Sequence, residues 1–228
     1  MQLELIGSFA INFLTFNTRI RSDLSGTLDA LQIGLVYGFA TLTFIVLMYP
    51  SAKCHFTPIL TLADMAFKGL DLRQGVMLML CQFVGCVLST GLIMLTLSQE
   101  HTEAISQLSV AGMPHLRQMF SHLNGFIAEF IFSAILGYSH AQFSERSKTI
   151  RSWVEFYAGV RCMILILAAL NAEPVSGVSL NPFTILSASM ISAMSIRNQW
   201  IYLIAPCVGV YVGSFLRKKF IDTKFIVE

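Results

Sequence analysis

The sequence predicts an all-α membrane protein: six transmembrane helices plus two re-entrant half-helices, in an inverted three-span repeat. Three observations lead there. The 228 residues are 55% hydrophobic and only 12% charged, with a mean hydropathy of +0.68, whereas a soluble domain carries about 25% charged residues. Six apolar segments approach the roughly 20 residues that a spanning helix needs. Two shorter apolar runs each begin at a proline, Pro58 and Pro182, in the connections after the second and fifth spans.

The first segment, about 3–18, has no basic residue ahead of it; Glu4 lies inside it, and Arg19 and Arg21 follow. That polarity is wrong for a cleaved signal peptide, so it counts as the first span. The second span, about 27–49, carries Gly34-x-x-x-Gly38, a small-residue face that lets helices approach closely. The run at about 58–67 in "CHFTPILTLA" is only two or three turns long. The third span, about 74–97, contains "CQFVG", and 98–122 is a long outer loop with a weak helical pattern of its own. A fourth span, about 124–143, holds Glu129, and a fifth, about 153–170, holds Arg161. The second short run, 182–194, opens with "SLNPF", and the last span is about 199–216 with Gly209-x-x-x-Gly213. Trp153, Trp200 and Tyr202 fall near span ends, where aromatic anchors belong.

The two halves, about 1–100 and 124–220, resemble each other within a single domain covering 1–228. Pro58 falls on Pro182 and Gly85 on Gly209, each 124 residues apart, while Glu4 falls on Glu129 at 125. Three spans per half is odd, so the second half enters the membrane from the opposite face, and the site is expected where interrupted helices meet near the midplane. Basic residues agree. With both termini cytosolic, Lys53, Lys68, Arg73, Arg146, Lys148, Arg151, Arg217, Lys218, Lys219 and Lys224 lie inside, against Arg19, Arg21, Arg117 and Arg197 outside.

The short runs explain themselves as helix starts. Asn181 is a strong N-cap, and Pro182 at the first helical position sacrifices no hydrogen bond; Thr57–Pro58 is the same device with a weaker cap. Non-helical backbone at membrane depth survives only when buried in protein or lining a wet cavity. Two half-helices entering from opposite faces would meet by their N-termini, each presenting roughly half a positive charge. Across a narrow pore that field repels cations and protons and passes neutral molecules. The carbonyls from Lys53 to Thr57 and Ser176 to Asn181 would form a ladder of acceptors. A channel for small uncharged solutes follows. A secondary transporter or a non-conducting membrane scaffold are the alternatives.

Other chemistry is excluded or unsupported. Net charge is +2, so nucleic acid is not a partner. Cys54, Cys81, Cys86, Cys162 and Cys207 show no zinc or redox spacing, no enzymatic motif is present, and neither metal nor cofactor is expected. Asp64 has Lys68 four residues on, a favourable helix pair expected to face the cytosolic loops. Arg161 falls on Tyr37 in the repeat, as a pore-facing cation or one buried against another helix.

"CHFTPILTLA", "CQFVG", "SGVSLNPF" and "QWIYLIAPCVG", together with Glu4 and Glu129, resemble the aquaporin (major intrinsic protein) family over nearly the whole chain. The family's two Asn-Pro-Ala signatures stand here as Thr57-Pro58-Ile59 and Asn181-Pro182-Phe183, loosened as in the unorthodox superaquaporins of intracellular membranes such as the endoplasmic reticulum. The resemblance implies a homotetramer in the lipid bilayer with one pore per subunit, passing water and small neutral solutes such as glycerol or hydrogen peroxide. It makes Glu4 and Glu129 buried carboxylates that accept bonds from the re-entrant loops. Its selectivity filter falls on Tyr37, Ala169, Val178 and Thr184, the last replacing the usual arginine. Losing that cation, with Ala169 small, favours weaker discrimination, while bulky Ile59 and Phe183 at the helix tips would narrow the midpoint. His55 stands where the family has a loop histidine, a pH-sensitive element in one reading and a packed side chain in the other, and Cys54 beside it is either a thiol accessible to mercurials or inert buried filler.

Overall fold

Eight helices account for nearly all of the described chain. The computed structural model describes residues 1–49, 54–97, 112–143, 151–191 and 199–222, and no strand occurs among them. Six helices are long: α1 (Gln2–Ser25), α2 (Ala30–Met48), α4 (Leu72–Thr96), α5 (His122–Phe143), α6 (Arg151–Ser176) and α8 (Trp200–Asp222). Two have ten residues each, α3 (Pro58–Phe67) and α7 (Pro182–Ile191). By length and composition, α2, α4, α6 and α8 are apolar enough to cross a membrane.

Local chemistry sets the ends. Gly26 closes α1 in the left-handed region (φ 64°), its N–H returning to Ser22 O. Asp29 and Gln32 form a reciprocal capping box for α2, and Asp71 accepts from Arg73 N and Gln74 N at the start of α4. Ser121 and Asn124 exchange side-chain-to-backbone bonds at the start of α5. The first, fifth and last spans outrun their sequence bounds of 18, 170 and 216, the last reaching Asp222. α1 continues to Ser25, and α6 runs on through Pro174 to Ser176.

Helices in lipid gain little from hydrophobic burial against one another, so small residues and polar contacts decide the packing. α1 lies on α4, α5 on α8 and α2 on α6. A Cβ at Gly85 would overlap the carbonyl of Leu5, and one at Gly209 would overlap that of Phe130, so both glycines are required by close backbone approach. Gly34 and Gly38 give α2 the same access to α6, at Ala169 Cβ and Cys162 O. Tyr202 is not an interfacial anchor: it is 1% exposed, and its hydroxyl donates to Ser176 O.

The half-helices run apart from a common origin. α3 packs on α4, α5 and α8, and Lys68 just past its end reaches His140 O (3.3 Å). α7 packs on α4 and α8 and ends beside Gln199, which accepts from Ser189 Oγ (2.8 Å). The near end of the bundle holds the start of α1, His140 and the Arg217–Gln142 contact. The far end holds Asp23 against Gly112 N and Arg117 N on Val175 O. Where α3 and α7 begin, Thr57 Oγ1 donates to Leu180 O at 3.3 Å.

Candidate permeation path

Each half-helix is led in by a backbone of alternating hand. Cys54 (φ 57°) and Phe56 (φ 56°) are left-handed, and so are Val178 (31°) and Leu180 (48°), the same two positions 124 residues on. Non-glycine residues there are costly, on the order of 1 kcal/mol or more each, unless the surroundings over-determine them. Two buried carboxylates supply that constraint. Glu4 accepts from His55 N and Phe56 N (both 2.9 Å) and from Gln82 Nε2 (2.9 Å). Glu129 accepts from Ser179 N (2.9 Å), Leu180 N (3.1 Å) and Ser176 Oγ (2.9 Å). Gly177 (φ 71°) completes the second loop, and a Cβ there would strike His115 N and Pro114 Cα.

With the amides held this way, the carbonyls receive donors from elsewhere in the protein. Arg161 donates to Cys54 O (2.8 Å) and His55 O (2.6 Å), so its guanidinium, 4% exposed, grips carbonyls rather than a helix carboxylate. Tyr37, its repeat partner, donates to Ser179 O (3.1 Å), the partner of His55 O. Arg19 donates to Gly177 O and, at 2.6 Å, to Val178 O, and pairs with Glu173 at 3.1 Å. The acceptor ladder is therefore partly engaged by the protein, although each carbonyl keeps a second lone pair. Arg19, counted as an outer-loop cation from sequence, is 6% exposed inside the bundle.

The caps divide their work. Asn181 Oδ1 accepts from Phe183 N (3.1 Å) and caps α7, whereas Thr57 makes no cap bond and spends its hydroxyl on the opposite loop. On the far side of this junction lies a narrow cavity of about 20 Å³, lined by Asn12, Arg19, Tyr37, Val178, Asn181 and Thr184 among others. Asn12 Nδ2 is shared among Cys86 O, Ser89 Oγ and Thr90 Oγ1 at 3.1–3.3 Å, leaving Oδ1 buried without a protein partner.

Several expected site residues sit elsewhere. Ala169 is not a lining residue: it is fully buried, packed on Gly34 and in a cluster with Leu165, Val178 and Leu180. Ile59 packs with Leu136, Ile164 and Val210, and the Phe183 ring lies 5.3 Å from that of Phe83, so neither tip residue lines this cavity. Cys54 is 3% exposed, with Sγ turned to Ile45 O, and offers no open thiol. Asp64 does meet Lys68 (3.2 Å) but points inward, to His55 Nε2 (3.0 Å) and His140 Nε2 (2.8 Å). Asn12 is a site residue that sequence reasoning passed over, and its one local signal was a polar group inside an apolar helix; Arg19, assigned to a loop, gave no such signal.

A family model described as Major intrinsic protein matches residues 1–217. Among curated proteins, Aquaporin NIP1-1 of Oryza sativa subsp. japonica is 24% identical over 93% of this chain and 70% of its own length. Aquaporin A of Dictyostelium discoideum is 24% identical over 87% of the chain and 68% of its own. The X-ray structure of the aquaglyceroporin from Plasmodium falciparum superposes with a TM-score of 0.80 at 18% identity, covering 96% of this chain and 94% of that one.

Proposed function

Because the chain belongs to the major intrinsic protein family, we propose that it is a passive channel for water and small neutral solutes such as glycerol or hydrogen peroxide. One observation carries the proposal. Two half-helices directed to opposite ends of the bundle abut at their N-termini, where Thr57 Oγ1 touches Leu180 O, beside a polar cavity. Their N-terminal dipoles set a positive field at that point, opposing cations and hydrated protons.

Arg19 takes over part of the work of the arginine absent at Thr184. It reaches the second loop from α1, beside Tyr37, Val178 and Thr184, though Glu173 offsets its charge. Cation exclusion then rests more on the helix tips than on the filter. Asn12 Oδ1 offers an acceptor to a passing hydroxyl. Glu4 and Glu129 hold the loops, and Arg161 steadies the near mouth.

The chain is a membrane protein, in our proposal with three spans in each of two inverted repeats and both termini cytosolic. Even with Arg19 withdrawn into the bundle, the basic residues favour the near end as the cytosolic side. Assembly as a homotetramer and residence in an intracellular membrane such as the endoplasmic reticulum complete the proposal. Stopped-flow light scattering on proteoliposomes tests it. An osmotic step is expected to give accelerated shrinkage with a low activation energy, and glycerol uptake above that of empty vesicles. Dependence on sodium or protons would mean a transporter, and rates equal to empty vesicles would mean a scaffold.

A further inference from the structure

We propose that His55, Asp64 and His140 bind one divalent transition-metal ion of the zinc, cobalt or nickel kind at the near mouth. The inference stands apart from conduction. Their ligand atoms all lie within 4.8 Å of one another, and the three residues are 1%, 6% and 1% exposed. The two imidazole Nε2 atoms sit 3.0 and 2.8 Å from opposite oxygens of the one carboxylate. Ligands about 2.0–2.2 Å from a shared ion stand roughly 2.8–3.6 Å from each other, and both imidazole–carboxylate gaps fall within that range.

The surroundings suit the same chemistry. A metal-binding imidazole usually donates its remote N–H to an oxygen, which fixes the tautomer that leaves the other nitrogen free. His55 Nδ1 lies 3.0 Å from Thr61 Oγ1, and His140 Nδ1 lies 2.8 Å from Tyr157 OH. Thr61 is itself held by Gln82 Nε2 (3.0 Å). Coordination through Nε2 requires each ring to carry its proton on Nδ1, facing Thr61 Oγ1 and Tyr157 OH respectively. Two imidazoles and one carboxylate favour borderline ions over calcium or magnesium, which take oxygen.

Lys68 is the competitor. Its ammonium lies 3.2 Å from Asp64 Oδ1 and 3.3 Å from His140 O, supplying positive charge where the ion would sit. Binding requires it to swing away, so its removal should tighten the site. The ligands come from the first loop, α3 and α5, with no sequence spacing to betray them, which is why no metal was expected from sequence.

The test uses the full chain in detergent, with any purification tag removed, titrated with Co²⁺ and read by visible absorption. One ion per chain with a nitrogen–oxygen ligand field, displaced by Zn²⁺, is the expected result. H140Q and D64N should weaken binding at least 100-fold, and K68M should tighten it about tenfold. Should the first two fail to fold, K68M decides, because a cluster that is only an ion-pair network gains no metal affinity from that change. No saturable cobalt signal in wild type or K68M, thiolate charge-transfer bands, or binding unchanged in H140Q would each overturn the proposal. Flux is measured separately, so a non-conducting protein that binds cobalt refutes the channel and leaves the site standing.

Discussion

Glu129 sits where a charge is expensive, and its partners are the reason it is tolerated. An ionised group at the centre of a membrane helix costs about 2.5–3.5 kcal/mol on insertion scales. Three donors answer it, two of them amides from left-handed or adjoining backbone. Glu129→Gln would replace one acceptor oxygen by a donor facing an N–H, costing about 2–4 kcal/mol since bonds to charged groups contribute ~1.5–3 each. We expect a thermal midpoint lowered by several degrees in detergent and a reduced water flux. A midpoint equal to wild type would show that the carboxylate does not shape the loop. Arg19 invites a sharper experiment, a double-mutant cycle with Glu173. R19M leaves the buried Glu173 carboxylate with Arg117 alone, 3.8 Å away and partly exposed, and should cost ~1–4 kcal/mol, whereas R19M with E173Q should cost clearly less. If Arg19 restricts the cavity, the double variant also passes more glycerol relative to water. Equal ratios would remove it from the filter. Arg19 was illegible in the sequence because its partner lies 154 positions away, so a local count could only place it in a loop.

Helices were legible to the extent that their causes are local. Hydropathy located all eight, and the Asn181–Pro182 and Thr57–Pro58 pairs marked the starts of α7 and α3 because capping acts within one turn. Hydropathy failed at the ends of α1 and α6, where charged residues are sheltered by partners from other helices. Ala169 came from the family resemblance instead, and such a carry-over gives a residue's height in the membrane but not its facing; here its side chain packs on Gly34. Helix contact itself can be tested with a matched pair of substitutions. G85A pushes a methyl into the Leu5 carbonyl and should force α1 from α4, costing ~1–3 kcal/mol. At Gly159 in α6 a Cβ meets nothing within 4 Å, so G159A should be neutral or gain up to ~1 kcal/mol from helix propensity. Unfolding midpoints measured together check both signs, and a destabilised G159A with an unaffected G85A would contradict the packing.

At the scale of the molecule, the proposed inverted repeat organises the rest: each half has three long helices among the described residues, so equivalent structures would face opposite ways. The contacts recur accordingly, Glu4 with Glu129, Tyr37 with Arg161 and Gly85 with Gly209. Opposition is what lets two helix N-termini confront each other instead of lying side by side, and a field peak at the midplane follows only from that arrangement. Sidedness is therefore the most economical check on the whole fold. Exposed Ser25 and Ser121 lie at the far end, and exposed Arg73 and Lys218 at the near end. Single cysteines at these positions, in a background lacking Cys81 and Cys207, are treated with a membrane-impermeant maleimide in sealed vesicles of known orientation. S25C and S121C should react from one side, and R73C and K218C only from the cytosolic side. Were S25C and K218C to label from the same side, α3 and α7 could not enter from opposite faces. The positive field at their junction would then have no structural basis.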